Sequence, residues 1–274
     1  MSAVDEVGAS DETSRTPRRH GGGPGVWLWR LAVPPIVLGV WQLAHHMRLS
    51  SSALLPSPGA VWDATVSLHR SGALWSNLSS TLAAAVGALT LSALVGTPLG
   101  VLLGMLPRAW AVLGPYLNAL NSTPRIALAP VFVVLLGIGQ SSKVALGFSI
   151  AVFIFLMNAR AGVLSADEEH RRVCLTLGAS KAQLFWKLYV PVALPAVFAA
   201  LRLGAVYALL GVVSSEILAS QSGVGQLIAS YSATLSMAHV YSLLIILAIF
   251  ASVLTLVLGA VEASLLGWQQ AGRR

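Results

Sequence analysis

The sequence predicts an all-α membrane protein of about six transmembrane helices, and three observations lead to this fold class. First, 56% of its 274 residues are hydrophobic and only 10% are charged, whereas a soluble globular domain carries about 25% charged residues. Second, apolar runs recur that reach the length of about 20 residues needed to cross a bilayer. Third, Lys and Arg concentrate in alternate connecting segments, which is the pattern that sets the orientation of membrane proteins.

The apolar runs define one membrane domain, residues 26–268, behind a polar tail. The tail, residues 1–25, has mixed charge and no signal-peptide cleavage pattern, so we expect a disordered cytoplasmic segment. Polar residues at 121–125 interrupt the third run, and such a break is tolerated only where it faces protein or a water-filled cavity. The six candidate spans are residues 27–46, 79–106, 111–138, 143–163, 191–217 and 240–266.

The placement of positive charge predicts that both chain termini lie on the cytoplasmic side. In that orientation the inner segments hold Arg15, Arg18, Arg19, Arg30, Arg108, Arg171, Arg172, Lys181, Lys187, Arg273 and Arg274. The outer segments hold only Arg48, Arg70 and Lys143. The net charge of +7 therefore reflects membrane topology, and no nucleic-acid partner is expected.

The long outer segment, residues 47–78, predicts a short helix at the membrane interface. Ser57 is a good capping residue, and Pro58 is favoured at the first position of a helix. The side chains expected on the apolar face of this helix are Val61, Trp62, Thr65 and Leu68.

The inner loop, residues 164–190, predicts two short helices joined at a glycine. Ser165 precedes Glu168 by three residues, a capping-box pattern that predicts the start of the first helix. This helix runs to about Leu177 and is followed by Gly178, the residue type best able to take the left-handed conformation after a helix.

A second capping box, Ser180 with Gln183, predicts the start of the second helix. This helix should end near Val190, because Pro191 starts the next span. Two capped helices that meet at one elbow suggest a docking element for a cytoplasmic partner.

The sequence carries no recognisable enzymatic chemistry. It lacks the G-x-x-x-x-G-K-[ST] phosphate loop, so it is not expected to hydrolyse ATP itself. Its one cysteine, Cys174, excludes an intramolecular disulfide framework and a cysteine zinc cluster. Adjacent His45 and His46 would point about 100° apart on a helix, which is a poor arrangement for chelating one ion. We therefore expect no catalytic residue, no cofactor-binding residue and no metal site.

The inner loop resembles the signature of the permease subunits of bacterial ABC importers, E-A-A-x-x-x-G-x(9)-I-x-L-P. Gly178 stands at the glycine, and the stretch Leu188-Tyr189-Val190-Pro191 stands at I-x-L-P with the same spacing. The E-A-A is replaced by Arg172-Val173-Cys174, and Glu168 or Glu169, one helical turn earlier, could substitute for the missing acid.

Over about residues 54–266 the chain looks like the nitrate/sulfonate/taurine branch of these permeases. The resemblance rests on motifs that follow one another in the order of that branch. They are Leu55-Pro56-Ser57-Pro58, Pro124-x-x-Ala127-x-x-Pro130, Gly137-Ile138-Gly139, Ser142-Lys143, Asn158, Gly162, Leu177-Gly178-Ala179-Ser180, Leu194-Pro195, Arg202, Glu216 and Gly223-Val224-Gly225.

The resemblance implies a type I ABC importer permease fold with a cytoplasmic coupling helix, in the inner membrane of a bacterium. Two permease copies, here expected as a homodimer within membrane lipid, would bind a dimer of cytoplasmic ATPases. An extracytoplasmic binding protein would deliver a small solute such as a sulfonate, taurine or nitrate, and the partner subunits would use the ATP. Closure of the ATPases would switch the paired bundles between inward-open and outward-open states, which is a rigid-body transition.

Two groups of residues are functional candidates under this resemblance. The ATPase-coupling candidates are Arg172, Thr176, Gly178, Ala179, Ser180, Gln183, Leu188 and Pro191. The candidates for the translocation pathway or a gate are Asn121, Thr123, Arg125, Asn158, Arg202 and Glu216. Charged residues within spans are rare and usually functional, so Arg125 and Arg202 suit an anionic substrate. A structural role stays open, in which Arg202 would bond a helix carbonyl or Glu216.

Two other classes of protein are alternatives. A stand-alone secondary transporter or channel typically needs acidic residues at mid-membrane depth, whereas Glu216 and Glu262 fall near the ends of spans. A membrane-embedded enzyme would need paired catalytic side chains at that depth, and the spans contain no such pair. Both alternatives are therefore less favoured than the importer permease.

Overall fold

The computed structural model describes residues 24–47 and 54–265, and every regular element within these two ranges is a helix. The α-helices are α1 Pro24–His46, α2 Pro58–Arg70, α3 Ala73–Met105, α4 Pro107–Ser122, α5 Ala129–Leu136, α6 Gln140–Leu164, α7 Glu168–Thr176, α8 Lys181–Leu184, α9 Val190–Leu218, α10 Val224–Ala233 and α11 Met237–Leu265. A 3₁₀ turn, Arg125–Leu128, precedes α5, and a π-helical segment, Phe185–Tyr189, joins α8 to α9.

Within the described residues, four helical stretches are long and apolar enough to cross a membrane, or five if a bent pair counts as one span. They are α3, α6, the continuous stretch Ala182–Leu218 and α11, with α4 and Arg125–Leu136 as the bent pair. These stretches account for four or five of the roughly six spans that the sequence predicts. The first candidate, 27–46, lies within α1, which is helical over Pro24–His46.

Helix α1 belongs to a compact unit of its own, Met1–Leu49, and is described by itself. It carries Pro34 and Pro35 in its interior, and apolar side chains such as Leu31 and Leu38 are exposed. The predicted tail, residues 1–25, lies outside the described residues except for Pro24 and Gly25, which begin α1.

The second unit begins at Ser50, and α3, α6 and α9 form its centre. Helices α3 and α6 run parallel, and a row of small residues lets them pack closely. Small residues have this role between membrane helices in general. The row has a spacing of four residues along α3: Ala84, Ala88, Ser92, Gly96, Gly100 and Gly104, all buried. A Cβ at Gly100 would overlap the Leu156 carbonyl of α6, so these backbones are nearly in contact.

Two buried clusters mark the ends of this unit. The cluster at the α10 end consists of Leu68, Leu74, Leu78, Val224, Ile228, Val240 and Leu243, and it joins α2, α3, α10 and α11. The cluster at the α7 end consists of Val101, Ala159, Val163, Leu184, Tyr189 and Ala193. Cys174 and Ala179 pack against this second cluster, so the loop that carries α7 is anchored to the bundle.

The third predicted span is broken where the sequence indicated. Helix α4 ends at Ser122, and the following helical stretch, Arg125–Leu136, is bent from it by 81°. Pro124 at the break has no backbone N–H to continue the α4 hydrogen-bond ladder, which is a common cause of a sharp kink.

Helix α2 begins as predicted, because the Ala60 N–H donates to the Ser57 hydroxyl at 3.1 Å. Its buried face consists of Val61, Ala64 and Leu68. The prediction that Trp62 shares this face is wrong, since its side chain is exposed. The physical reason is the step of about 100° per residue along a helix, which points adjacent residues in different directions.

Candidate functional site

The loop at the α7 end begins differently from its prediction. The side chain of Asp167, rather than Ser165, caps α7, and accepts a hydrogen bond from the Glu169 N–H at 2.9 Å. The Ser165 hydroxyl instead donates to the Gly162 carbonyl at 2.7 Å, at the end of α6. Ser165 is engaged as the C-cap of α6, and the Asp167 carboxylate at the start of α7 also interacts favourably with the helix dipole.

The glycine elbow is confirmed in atomic detail. Gly178 has φ of +76°, the left-handed region that the end of a helix often requires. The Gly178 N–H donates to the Leu175 carbonyl and the Ala179 N–H to the Cys174 carbonyl, both at 3.0 Å. These two bonds form a Schellman motif, which satisfies carbonyls that the end of α7 would leave unpaired.

The second capping box is also confirmed, because its two hydrogen bonds are reciprocal. The Ser180 N–H donates to Gln183 Oε1 at 2.7 Å, and the Gln183 N–H donates to the Ser180 hydroxyl at 3.2 Å. The predicted end of this helix near Val190 is wrong, since one helical stretch continues through Ala182–Leu218. Pro191 lies in the first turn of α9, where its missing N–H is tolerated after the wider π-helical turn.

The ATPase-coupling candidates separate into two groups by exposure. Ala179 and Leu188 pack against the cluster at the α7 end, and Pro191 lies within α9. The exposed candidates, grouped around the elbow, are Arg172, Thr176, Gly178, Ser180 and Gln183. Exposed apolar side chains accompany them, of which Leu177 at 81% and Trp186 at 68% are the most exposed, and sequence reasoning overlooked both. Their apolar character in a polar loop was the available signal.

A buried ion pair lies at the α10 end. Lys143 Nζ of α6 is 3.1 Å from Glu216 Oε1 of α9, and both side chains are almost completely inaccessible to solvent. The ammonium also donates to the Ser222 carbonyl at 2.7 Å and to the Ser80 hydroxyl at 3.2 Å. The sequence analysis assigned Lys143 to the outer side from charge placement alone, and its burial against Glu216 and Ser222 is a finding of the structure.

The Glu216 carboxylate is also bound by neutral donors from two other elements. The Thr81 hydroxyl of α3 lies 2.9 Å from Oε2, and the Gly225 N–H of α10 donates to the same oxygen at 2.9 Å. Gly223 has φ of +111°, and a Cβ there would overlap the carboxylate. One acidic group therefore joins α3, α6, α9 and the start of α10.

The bend between α4 and α5 carries the second charged group. Arg125 donates to Asn121 Oδ1 at 2.7 Å, to the Leu120 carbonyl at 3.2 Å and to the Ile150 carbonyl at 3.3 Å. Its guanidinium also lies 4.1 Å from the centre of the Phe153 ring. Asn121 and Arg125, two of the six pathway candidates, are thus in direct contact.

The remaining pathway candidates make separate contacts. Arg202 Nε is 3.0 Å from Glu262 Oε2 of α11, so the possible pairing of Arg202 with Glu216 is wrong. The reason is distance along α9, since residues nearly four turns apart cannot meet. Asn158 and Thr123 each donate to a carbonyl of their own helix four residues earlier. The described contacts therefore do not bring the six candidates into one cluster.

A family model described as "Binding-protein-dependent transport system inner membrane component" matches residues 96–266, more than half of the chain. This chain belongs to that family. The matched region contains the α7 loop, both bent-pair helices and the Lys143–Glu216 ion pair.

Curated relatives place this permease beside transporters of sulfonates. It is 30% identical over 256 residues to the taurine transport system permease protein TauC of Escherichia coli (strain K12), covering 88% of this chain and 93% of TauC. It is 28% identical to the putative aliphatic sulfonates transport permease protein SsuC of Bacillus subtilis (strain 168), covering 89% and 88%. It is also 32% identical to the formylaminopyrimidine transport permease protein ThiX of Halalkalibacterium halodurans, covering 69% and 75%.

A solved structure supports the fold. The inward-facing MetNI methionine ABC transporter matches with a TM-score of 0.60 and 19% identity, covering 68% of this chain and 92% of the matched one. The predicted type I ABC importer permease fold is therefore confirmed. The chain is a multi-pass permease component of a binding-protein-dependent ABC importer of the nitrate/sulfonate/taurine branch.

Proposed function

We propose that this permease translocates a small sulfonate, such as taurine or an alkanesulfonate, that an extracytoplasmic binding protein delivers. It works as a homodimer in the membrane, and a cytoplasmic ATPase dimer supplies the energy while the permease itself binds no cofactor. The substrate class is supported by the similarity to TauC and SsuC. The relative ThiX carries a different named solute, which makes the substrate the point most in need of experiment.

The exposed elbow around Gly178 is the observation that carries this function. A Schellman motif and a reciprocal capping box hold the backbone of residues 174–183 in one conformation. Leu177 and Trp186 expose apolar surface beside it, which a protein partner would cover. A rigid, partly apolar projection suits the transmission of force between an ATPase and a helix bundle.

The α7 end is the cytoplasmic end in this proposal. Arg108, Arg171, Arg172 and Lys187 all lie near it, as the positive-inside rule requires. Lys143 lies at the α10 end, but it is buried and paired with Glu216, so it does not count as an exposed positive charge on that side. With residues 27–46 as a further span, both termini of the chain are cytoplasmic.

The coupling test compares three glycine variants in cells that depend on this permease for taurine uptake. Gly178→Val forces a β-branched residue into left-handed backbone, which costs about 1–3 kcal/mol and disfavours the elbow. Gly178→Asn is the conservative variant, because Asn tolerates this conformation. Gly72→Val is the matched control at the α10 end, since Gly72 has φ of +72° and open space around it.

We expect Gly178→Val to lose uptake and to lose a co-purifying ATPase with a phosphate loop, while Gly178→Asn and Gly72→Val retain both. Full uptake by Gly178→Val would remove the docking role. A chain that purifies alone and transports taurine into liposomes without ATP would favour the secondary transporter. The substrate is tested by competition, and unlabelled ethanesulfonate should reduce labelled taurine uptake. Competition by formylaminopyrimidine alone would contradict the sulfonate assignment.

A further inference from the structure

We propose that Arg160, held against Trp110, forms an oxyanion-binding site at the α7 end of the permease. Arg160 lies in α6, near its last residue, Leu164. Trp110 lies in the first turn of α4. The pair was not among the candidates from the sequence, and it is separate from the Lys143–Glu216 network at the opposite end.

Comparison of the cations in the predicted spans whose side chains the structure describes sets Arg160 apart. Lys143 and Arg202 each have a carboxylate partner, and Arg125 donates to three oxygen atoms. Within the described part of the chain, Arg160 makes no hydrogen bond, and its Nε is buried without an acceptor. The side chain as a whole is only partly buried, but its Nε is shielded from solvent, and ionisable residues within membrane helices usually mark a functional site.

A residue of α4 holds the Arg160 guanidinium in place. Its carbon lies 3.6 Å from the centre of the Trp110 ring, which is a cation–π contact. Gly114, one turn along α4, makes room for the indole, since a Cβ at Gly114 would lie 2.9 Å from Trp110 Cε2. The indole therefore packs along its own helix and presents its face to Arg160.

This arrangement leaves N–H groups of Arg160 available to donate hydrogen bonds to an oxyanion. The contact with the indole is made through the guanidinium carbon, whereas the N–H groups lie in the guanidinium plane and point away from that carbon. Two parallel N–H groups match two oxygens of a sulfonate or phosphate, and such bidentate pairs are strong and specific. The chemistry is shared by two sources, the sulfonate that we propose as substrate and the phosphate of an anionic phospholipid headgroup. The first source rests on the proposed function, and the second does not.

The test uses the full chain, labelled with ¹⁵N-tryptophan and purified in a neutral detergent. The Trp110 indole resonance is assigned by its loss in Trp110→Phe. Sodium ethanesulfonate is titrated against sodium chloride at constant ionic strength, and dihexanoyl phosphatidylglycerol is titrated against dihexanoyl phosphatidylcholine. We expect a saturable shift of the Trp110 resonance with at least one of the two anions.

Arg160→Gln should weaken this affinity by at least about tenfold, because a charged hydrogen-bond partner is lost. Arg160→Lys keeps the charge and should retain part of the affinity. It therefore tests the site even where the glutamine variant folds poorly. Arg108→Gln is the matched control, because it removes one exposed positive charge from the same helix as Trp110.

The outcomes separate the sources. Saturation by ethanesulfonate assigns the site to the transported anion, and saturation by phosphatidylglycerol alone assigns it to lipid. No shift beyond that of chloride, a response that survives in Arg160→Gln, or an equal loss in Arg108→Gln would overturn the site. Since the titration needs neither ATPase nor transport, its failure is distinguishable from failure of the Gly178 experiment.

Discussion

Removal of the Glu216 carboxylate should destabilise the permease more than most single substitutions. In Glu216→Ala the Lys143 ammonium stays buried and loses an oxygen at 3.1 Å. At an effective dielectric constant of about 20, two charges at that distance attract by about 5 kcal/mol. Breaking one side of a buried pair costs about 3–5 kcal/mol, because the remaining charge is uncompensated.

Two features of the structure adjust this magnitude in opposite directions. Lys143 keeps the Ser222 carbonyl at 2.7 Å and the Ser80 hydroxyl at 3.2 Å, which favours the lower end of the range. The Thr81 hydroxyl and the Gly225 N–H lose their acceptor at Glu216, which adds to the cost. We therefore expect a loss of about 4 kcal/mol, or a decrease of about 8–16 °C in the unfolding midpoint.

The assay heats the purified chain in detergent and uses size-exclusion chromatography to measure how much of it remains folded at each temperature. The informative comparison is the double variant Lys143→Met with Glu216→Gln, in which no charge is buried and the amide oxygen can still accept from Gly225. Its midpoint should lie above that of Glu216→Ala and of Lys143→Met alone. A decrease below about 2 °C in Glu216→Ala, or a double variant no better than the worse single one, would refute the reasoning.

Two further predictions concern glycines that contact other helices. Gly223→Ala should lower the unfolding midpoint by several degrees in the same assay, because alanine is strained at φ of +111° and its Cβ would overlap the Glu216 carboxylate. An unchanged midpoint would contradict the described geometry. Gly100→Val should prevent stable packing of α3 on α6, measured as loss of the monodisperse peak, because a Cβ at Gly100 would overlap the Leu156 carbonyl. Gly87→Ala on the same helix is the control, since its nearest neighbour is a side-chain atom at an ordinary 3.4 Å.

The local features of this protein were readable from its sequence because short-range backbone physics decides them. Gly178 follows a helix and takes the left-handed conformation, and Ser180 pairs with Gln183 across three residues. The break near Pro124 follows from the missing N–H of proline. Local rules were less decisive where two residues could do the same work, since Asp167 caps α7 in place of Ser165.

The sequence by itself determined the class of protein, since continuous apolar runs of about 20 residues satisfy their backbone in lipid as helices. It could not assign partners to charges far apart in the chain. Lys143 meets Glu216 across 73 residues, and Arg202 meets Glu262 rather than an acid on its own helix. The position of the first turn of α4 beside the end of α6 decided that Arg160 would face Trp110 instead of an oxygen. Helix periodicity gives the direction of each side chain, but only the arrangement of helices decides which group it meets.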